Sequence, residues 1–124
     1  MQNTNQTSRL AMKKLLPFLL LLMASISYGQ DNITISFSND SKAVYHLSLV
    51  IYTPDGKIQT RVSDLTSGQV KVYSFPVNTE IFIADQKQEA FAMKGNDIKA
   101  TGIKPYIVLN ESDDKKIILL SLIQ

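Results

Sequence analysis

The single histidine of the chain is the first candidate for catalysis, because a serine triad needs a base that a carboxylate orients. His46 falls in the middle of Ala43–Tyr52, where apolar and polar residues alternate as in a half-buried strand. The chain has no cysteine and no Gly-x-Ser-x-Gly motif to place a nucleophile. We therefore expect His46 to be a half-exposed residue on the wetter face of a strand, and the protein not to be an enzyme.

Carboxylates are more numerous, but they are scattered over predicted turns and strand ends. The residues concerned are Asp40, Asp55, Asp64, Asp85, Asp97, Asp113 and Asp114. One histidine cannot build a zinc site, and the pairs Asn96-Asp97 and Asp113-Asp114 lack the ligand spacing of a calcium loop. We expect no metal and no cofactor, and a hydrolase that uses paired carboxylates is the least favoured function.

Aromatic side chains offer a different chemistry, because they can stack against the rings of a sugar. Tyr73 and Phe75 share one face of a predicted strand, with Val70 and Val72 on the other face. If the valines face the core, the two rings are exposed and join Tyr52 as candidate residues for binding a small ligand such as a carbohydrate. The alternative puts the rings in the core. Ring size favours this alternative, since a large ring gains more from burial than a valine does.

The first 29 residues have the composition of a secretory signal peptide. Met12-Lys13-Lys14 supplies positive charge, Leu15–Met23 is apolar, and Ala24–Gly29 contains the small residues that a signal peptidase requires. The apolar stretch is shorter than the roughly 20 residues that cross a bilayer as a helix, so cleavage before Gln30 is favoured over a membrane anchor. We predict a signal peptide with a disordered N-terminal extension over residues 1–29, with either Met1 or Met12 as the true start.

Export changes what the charge balance implies. Three basic residues lie in the leader, so the 13 basic residues of the whole chain fall to 10, against 11 acidic ones. The processed protein therefore lacks the clustered basic face that nucleic-acid binding requires. Without cysteine there is no disulfide, and residues 30–124 must form one domain stabilised by burial alone. A cysteine-free exported chain with this leader is typical of the bacterial envelope, so we expect a secreted or periplasmic protein without a membrane span after processing.

Period-two alternation dominates residues 30–124 and predicts strands. The predicted strands are Asn32–Ser38, Ala43–Tyr52, Lys57–Val62, Gln69–Phe75, Thr79–Ala84, Tyr106–Asn110 and Lys115–Ile123, with Lys87–Lys94 assigned to a strand rather than to a helical turn. Thr53-Pro54-Asp55-Gly56 predicts a hairpin turn whose second strand points Ile58, Thr60 and Val62 inward. The last two segments are expected to form another hairpin. The run Ile117–Leu120 is expected to be covered on both faces.

These strands predict an all-β fold, an antiparallel β-sandwich of seven or eight short strands. In general architecture the pattern resembles immunoglobulin-like or transthyretin-like secreted modules. The function that fits best is an exported, non-catalytic envelope accessory or protein-interaction module with a protein partner. The alternative is a carbohydrate-binding protein that uses exposed aromatic rings. The strand Lys115–Ile123 could also insert into a partner's sheet edge, although completing its own sandwich is the favoured role.

Overall fold

The computed structural model describes residues 32–123. Contacts divide the chain into two units, Met1–Asp31 and Asn32–Gln124. The predicted signal peptide falls in the first unit, outside the described residues. Within residues 32–123, no helix is long and apolar enough to cross a membrane.

Seven strands and one α-helix make up the described unit. In chain order they are β1 (Asn32–Ser38), β2 (Tyr45–Tyr52), β3 (Ile58–Leu65), β4 (Val70–Pro76), β5 (Glu80–Ile83), α1 (Gln86–Met93), β6 (Ile107–Val108) and β7 (Lys116–Leu119). Short 3₁₀ helices lie at Ile98–Thr101, Glu111–Asp113 and Leu120–Leu122.

The strands form two sheets. Sheet A has three strands in the order β4-β1-β7, and sheet B has four in the order β3-β2-β5-β6. Every pairing is antiparallel except that of β7, which runs parallel to β1. The prediction of an all-β, sandwich-like fold built mainly from antiparallel strands is confirmed.

The main core lies between the inner faces of the two sheets. Alternate residues of β1, β2 and β4 point into it, as the period-two pattern requires. Its buried members are Ile33, Ile35, Phe37, Leu47, Leu49, Ile51, Leu65, Tyr73, Phe75, Ile81, Leu109, Ile118 and Leu120. Each aliphatic side chain in such a core contributes about 1.5–3 kcal/mol of transfer free energy. This burial replaces the disulfides that the chain lacks.

A second, smaller core lies on the outer face of sheet B. Val50 of β2 and Phe82 of β5 are buried there together with Ile98 of the first 3₁₀ helix. The segment from α1 to that 3₁₀ helix covers them. Sheet B is therefore buried on both faces, which explains why alternation in β2 breaks down into five consecutive buried residues.

The assignment of Lys87–Lys94 to a strand is wrong, because this segment is α1. The Asp85 side chain caps the helix by accepting a hydrogen bond from the Gln88 N–H, and the Gln88 side-chain oxygen accepts one from the Asp85 N–H, each at 2.8 Å. Such a reciprocal capping box satisfies two amides that would otherwise lack partners. Together with the helix formers Glu89-Ala90 it outweighs the strand character of neighbouring segments.

The predicted C-terminal hairpin is also wrong. β6 pairs with β5 in sheet B, whereas β7 pairs with β1 in sheet A. The 3₁₀ helix Glu111–Asp113 carries the chain from one sheet to the other, and its capping residue Asn110 is held by the Asp113 carboxylate. The apolar run is not covered on both faces either. Ile118 is buried, but Ile117 and Leu119 on the other face of this edge strand are exposed.

The prediction that the side chains of Ile58, Thr60 and Val62 point into the core is wrong. The hairpin itself forms, but Leu49 lies opposite Arg61, and Ile51 opposite Gln59. The alternate residues Ile58, Thr60 and Val62 therefore lie on the outer face of sheet B, and Ile58 and Val62 are exposed. The turn sets this register, because a fixed number of turn residues decides which side chains share a face.

The cap of α1 makes the first testable prediction. Replacing Asp85 with alanine should remove both bonds of the capping box and lower the free energy of unfolding by about 1 kcal/mol. Asp85→Asn keeps an acceptor at the same place and should cost much less. Urea unfolding followed by circular dichroism measures both variants. Equal stability of Asp85→Ala and the parent would show that the cap does not stabilise the helix.

Candidate functional site

The three residues predicted to bind a ligand are not brought together. Tyr73 and Phe75 lie on the inner face of β4 and are only 5% and 6% exposed, whereas Val70 and Val72 are on the outside. The alternative that puts the rings in the core is thus the one found. Phe37 packs edge-on against Tyr73 with ring centroids 5.9 Å apart. Neither ring of β4 offers a face to a ligand, so the stacking hypothesis retains only Tyr52.

Tyr52 stands at the end of β2, on the outer face of sheet B. Its hydroxyl donates to Asp97 Oδ1 at 2.5 Å and accepts from the Lys99 N–H at 3.3 Å. Phe82 meets the ring edge-on at 5.3 Å. Burial, followed by the hydrogen bond to the Asp97 carboxylate, raises the pKa of Tyr52 above its usual value. The phenol therefore remains a neutral hydrogen-bonding group at physiological pH.

A shallow cavity of about 390 Å³ opens beside Tyr52, lined also by Asn78, Glu80 and Asp97. The Lys99 ammonium lies 5.1 Å from the ring centroid and 2.5 Å from Glu80 Oε1. Carboxylate, amide and ammonium groups around one ring are suited to a hydroxyl-rich ligand. To stack on the ring, such a ligand would have to displace the Lys99 side chain.

His46 is half-exposed, as predicted, and it forms a cluster that the sequence did not reveal. Its Nδ1 lies 2.6 Å from Asp64 Oδ1 of β3, and its Nε2 lies 2.7 Å from Glu89 Oε1 of α1. Hydrogen bonds to these two carboxylates raise the pKa of His46 above its usual 6.5. The hydrogen bond between His46 and Glu89 also lowers the pKa of Glu89. The imidazolium form can donate to both acids at once.

This arrangement connects three structural elements, β2, β3 and α1. Both ring nitrogens are directed at carboxylates, so neither is placed against a nucleophile. Among residues 32–123, no group of three or more acidic, histidine or cysteine side chains is arranged to hold a metal ion. The His46 cluster links α1 to the β2–β3 hairpin on the outer face of sheet B.

Sheet A has a contrasting outer face, because no helix among residues 32–123 packs on it. The register places Val72 and Ile117 on either side of Ser36, and Val70 and Leu119 on either side of Ser38. All four aliphatic side chains are exposed. We call these four residues the apolar face. Exposed aliphatic pairs on the two outer strands of a sheet, with only serine side chains between them, are typical of an interaction surface.

A groove of about 370 Å³ borders the apolar face on the side where sheet A ends in β7 and sheet B ends in β6. We call it the edge groove; its lining residues are Tyr106, Ile107, Lys116, Ile117, Ile118, Leu119 and Leu122. Tyr106 and Leu122 are exposed, Leu122 by 77%. Apolar side chains thus extend from the outer face of sheet A around its β7 edge.

The partners of His46 differ in how far the sequence could have identified them. Asp64 lies directly opposite His46 in the β2–β3 register. The hairpin was predicted, but its second strand was expected to end at Val62 with the even-numbered residues facing inward, so the prediction did not place Asp64 beside His46. Glu89 comes from α1, which was assigned to a strand, and its contact depends on tertiary packing. The apolar face was missed because β7 was expected to be covered.

The His46 cluster predicts a specific dependence of stability on pH. A raised pKa in the folded state means that the contribution of His46 is fully present below its unfolded pKa and is lost as the pH rises through the folded value. Glu89 acts in the opposite sense, since its lowered pKa adds stability that disappears as the pH falls through its folded pKa. The melting temperature of His46→Asn should therefore lie furthest below that of the parent near about pH 6 and approach it by about pH 9. A difference that stays constant over this range would contradict the cluster.

Comparison of the chain with models of known protein families, with curated protein sequences and with solved structures finds no match. The architecture and the surfaces described above are therefore what any account of function has to rest on.

Proposed function

We propose that the protein is an exported, non-catalytic β-sandwich of the cell envelope that acts as a protein-interaction module through the apolar face of sheet A. The leader over residues 1–29 supports export, to the periplasm or beyond the cell. The single observation that carries the interaction role is the set of four exposed aliphatic side chains, Val70, Val72, Ile117 and Leu119.

The contrast between the two sheets makes this surface informative. The outer face of sheet B carries comparable apolar residues, but α1 and the 3₁₀ helix Ile98–Thr101 cover them. Within the part of the chain that the structure describes, sheet A has no such layer. Isolated exposed aliphatics are ordinary on any protein, whereas here two aliphatic pairs flank the small side chains of Ser36 and Ser38 on one sheet face. Covering each such side chain with a partner would contribute up to about 1.5–3 kcal/mol of transfer free energy.

The non-catalytic part of the proposal is supported by His46. Its two nitrogens are occupied by Asp64 and Glu89, and the structure from residue 32 to 123 shows no metal-ligand cluster. As a finer assignment we propose an immunoglobulin-like or transthyretin-like arrangement. Support for it comes from the two-layer architecture and from the parallel pairing of the first and last strands.

Photo-cross-linking in intact cells tests the interaction role. A photoreactive residue in place of Val72 should capture a protein partner, whereas the same residue in place of Ile58 on sheet B should not. In the adduct, the chain of this protein should begin at Gln30, because the leader is removed on export. Ile117→Asp should reduce the adduct formed from position 72 by about tenfold or more, because it buries a charge in the contact. Ile58→Asp is the matched control, since Ile117 and Ile58 are 64% and 52% exposed.

Two results would refute the interaction role. One is the absence of any adduct from position 72 in cells that export the protein. The other is an equal loss of the adduct in Ile117→Asp and Ile58→Asp, because the effect would then not be specific to the apolar face.

The second candidate function is carbohydrate binding at the Tyr52 cavity. It is favoured by the polar groups of Asn78, Glu80 and Asp97 beside the Tyr52 ring. A glycan that binds the processed protein should lose binding in Tyr52→Ala and keep it in Tyr106→Ala, which removes a ring from a different surface. A glycan array followed by calorimetry measures this. Silence across the array, or binding that survives Tyr52→Ala, would eliminate this candidate.

A further inference from the structure

We propose that a cavity beside the start of β2 binds a small zwitterion with an apolar body, of the class of the free apolar amino acids. We call it the Lys104 cavity. It has a volume of about 520 Å³ and is lined by Tyr45, Ile83, Ala84, Asp85, Gln88, Lys104, Tyr106 and Ile123. It shares no residue with the apolar face of sheet A, so this inference goes beyond the proposed interaction role and does not depend on it.

The Lys104 cavity opens where β5 stops beside a longer strand. β2 has eight residues and β5 has four, and the two strands pair only along the second half of β2. The Ala84 N–H still donates to the Ser48 carbonyl, and the chain then leaves the sheet to begin α1. The lining of the cavity accordingly includes Ile83, the last residue of β5, and Tyr45, the first residue of β2.

The apolar part of the lining belongs to the edge of the main core. Tyr45, Ile83 and Ile123 are partly buried, and all three pack against the core between the two sheets. Ala84 adds a further apolar contact. An apolar group placed in the cavity would leave water and meet these side chains, which favours its binding.

The polar side chains of the lining have hydrogen-bonding capacity that the fold does not use. Among residues 32–123, the Lys104 ammonium forms no ion pair, and the hydroxyls of Tyr45 and Tyr106 form no hydrogen bond. The Gln88 side chain uses its oxygen in the cap of α1, which leaves its amide N–H groups, and Asp85 accepts the Gln88 N–H through Oδ1, which leaves Oδ2. Burial raises the pKa of Tyr45 above its usual value, so its hydroxyl remains a neutral donor.

The two charges of the lining select the charge of the ligand. Lys104 and Asp85 border the same cavity but form no ion pair with one another. A simple anion would be attracted by Lys104 and repelled by Asp85, and the reverse holds for a simple cation. A zwitterion can place its carboxylate near the lysine and its ammonium near the aspartate, so that both interactions are attractive. The lining therefore favours a ligand that carries both charges.

The rest of the lining defines the body of the ligand. The volume of about 520 Å³ lies within the range of roughly 300–1,000 Å³ that is usual for small-molecule sites. The rings of Tyr45 and Tyr106, with the aliphatic side chains of Ile83 and Ile123, suit an aromatic or branched aliphatic group. An apolar amino acid combines such a side chain with the two charges.

The test uses L-phenylalanine as the probe and the isotopically labelled protein purified after export. The NMR chemical shifts of Ala84, Lys104 and Ile123 should change on titration and saturate, whereas those of Ser36 on sheet A should not. N-acetylphenylalanine and phenylalanine amide each lack one of the two charges. Each should bind about threefold more weakly than phenylalanine, because one exposed ion pair is lost.

Variants assign each charge of the ligand to one residue. Lys104→Met should weaken the binding of phenylalanine about threefold and should not weaken that of the amide, which has no carboxylate. Asp85→Asn should weaken phenylalanine to a similar extent and should not weaken the N-acetyl derivative, which has no ammonium. Asp85→Asn keeps the acceptor that caps α1, so a loss of binding would not arise from a loss of the helix. Lys57→Met, in the turn after the other end of β2, is the matched control and should change neither.

Three results would overturn the proposal. The first is the absence of a saturable shift at Ala84, Lys104 and Ile123. The second is equal affinity for phenylalanine and its two derivatives, since the cavity would then bind the ring without using its charges. The third is a weakening of the N-acetyl derivative by Asp85→Asn, because the aspartate would then act through the structure of the cavity and not through the ammonium.

Discussion

Burial between the two sheets is the interaction on which the rest of the structure depends. The chain contains no cysteine, so the packing of side chains such as Phe37, Leu49 and Tyr73 must offset the entropy of ordering about 90 residues. This requirement also decides which side chains are left on the surface. In β4 the two rings are drawn into the core and the two valines are left outside, because the larger apolar area gains more from burial. The apolar face is thus a consequence of how the core is filled.

The outer face of sheet B is covered and that of sheet A is exposed because, among the connections between the described strands, only the one from β5 to β6 is long enough to form a helix. The segment between β5 and β6 folds back as α1 and a 3₁₀ helix, and it buries Val50 and Phe82 of sheet B. The cap at Asp85 starts this helix, and His46 holds it to the sheet through Glu89. Sheet A is followed by no comparable segment within the described residues. Coverage of sheet B and exposure of sheet A therefore have one origin in the lengths of the connections.

Local patterns predicted the strands well, and errors arose where a residue's role depends on a distant element. Alternation identified β1, β2 and β4, and the turn Thr53–Gly56 identified the first hairpin. The helix was missed because its signal, Asp85 with Gln88, competes with strand-like neighbours, and its packing partner Phe82 is visible only in the fold. The pairing of β7 with β1 joins residues about 80 positions apart, which no local signal specifies. Ring burial at Tyr73 was the favoured alternative, because area alone decides it. The apolar face required knowledge of which sheet remains uncovered.

The edge of β7 shows how exposure and protection coexist on one strand. A long, flat, apolar edge invites unspecific pairing, and natural sheets limit this with short edge strands and with lysines. β7 has both features, since it is four residues long and begins at Lys116. Lys115, immediately before it, adopts a left-handed backbone conformation with φ of 68°, which turns the chain into the strand and ends the edge there. An edge that is apolar yet short and charged at one end is poorly suited to unspecific pairing with other strands.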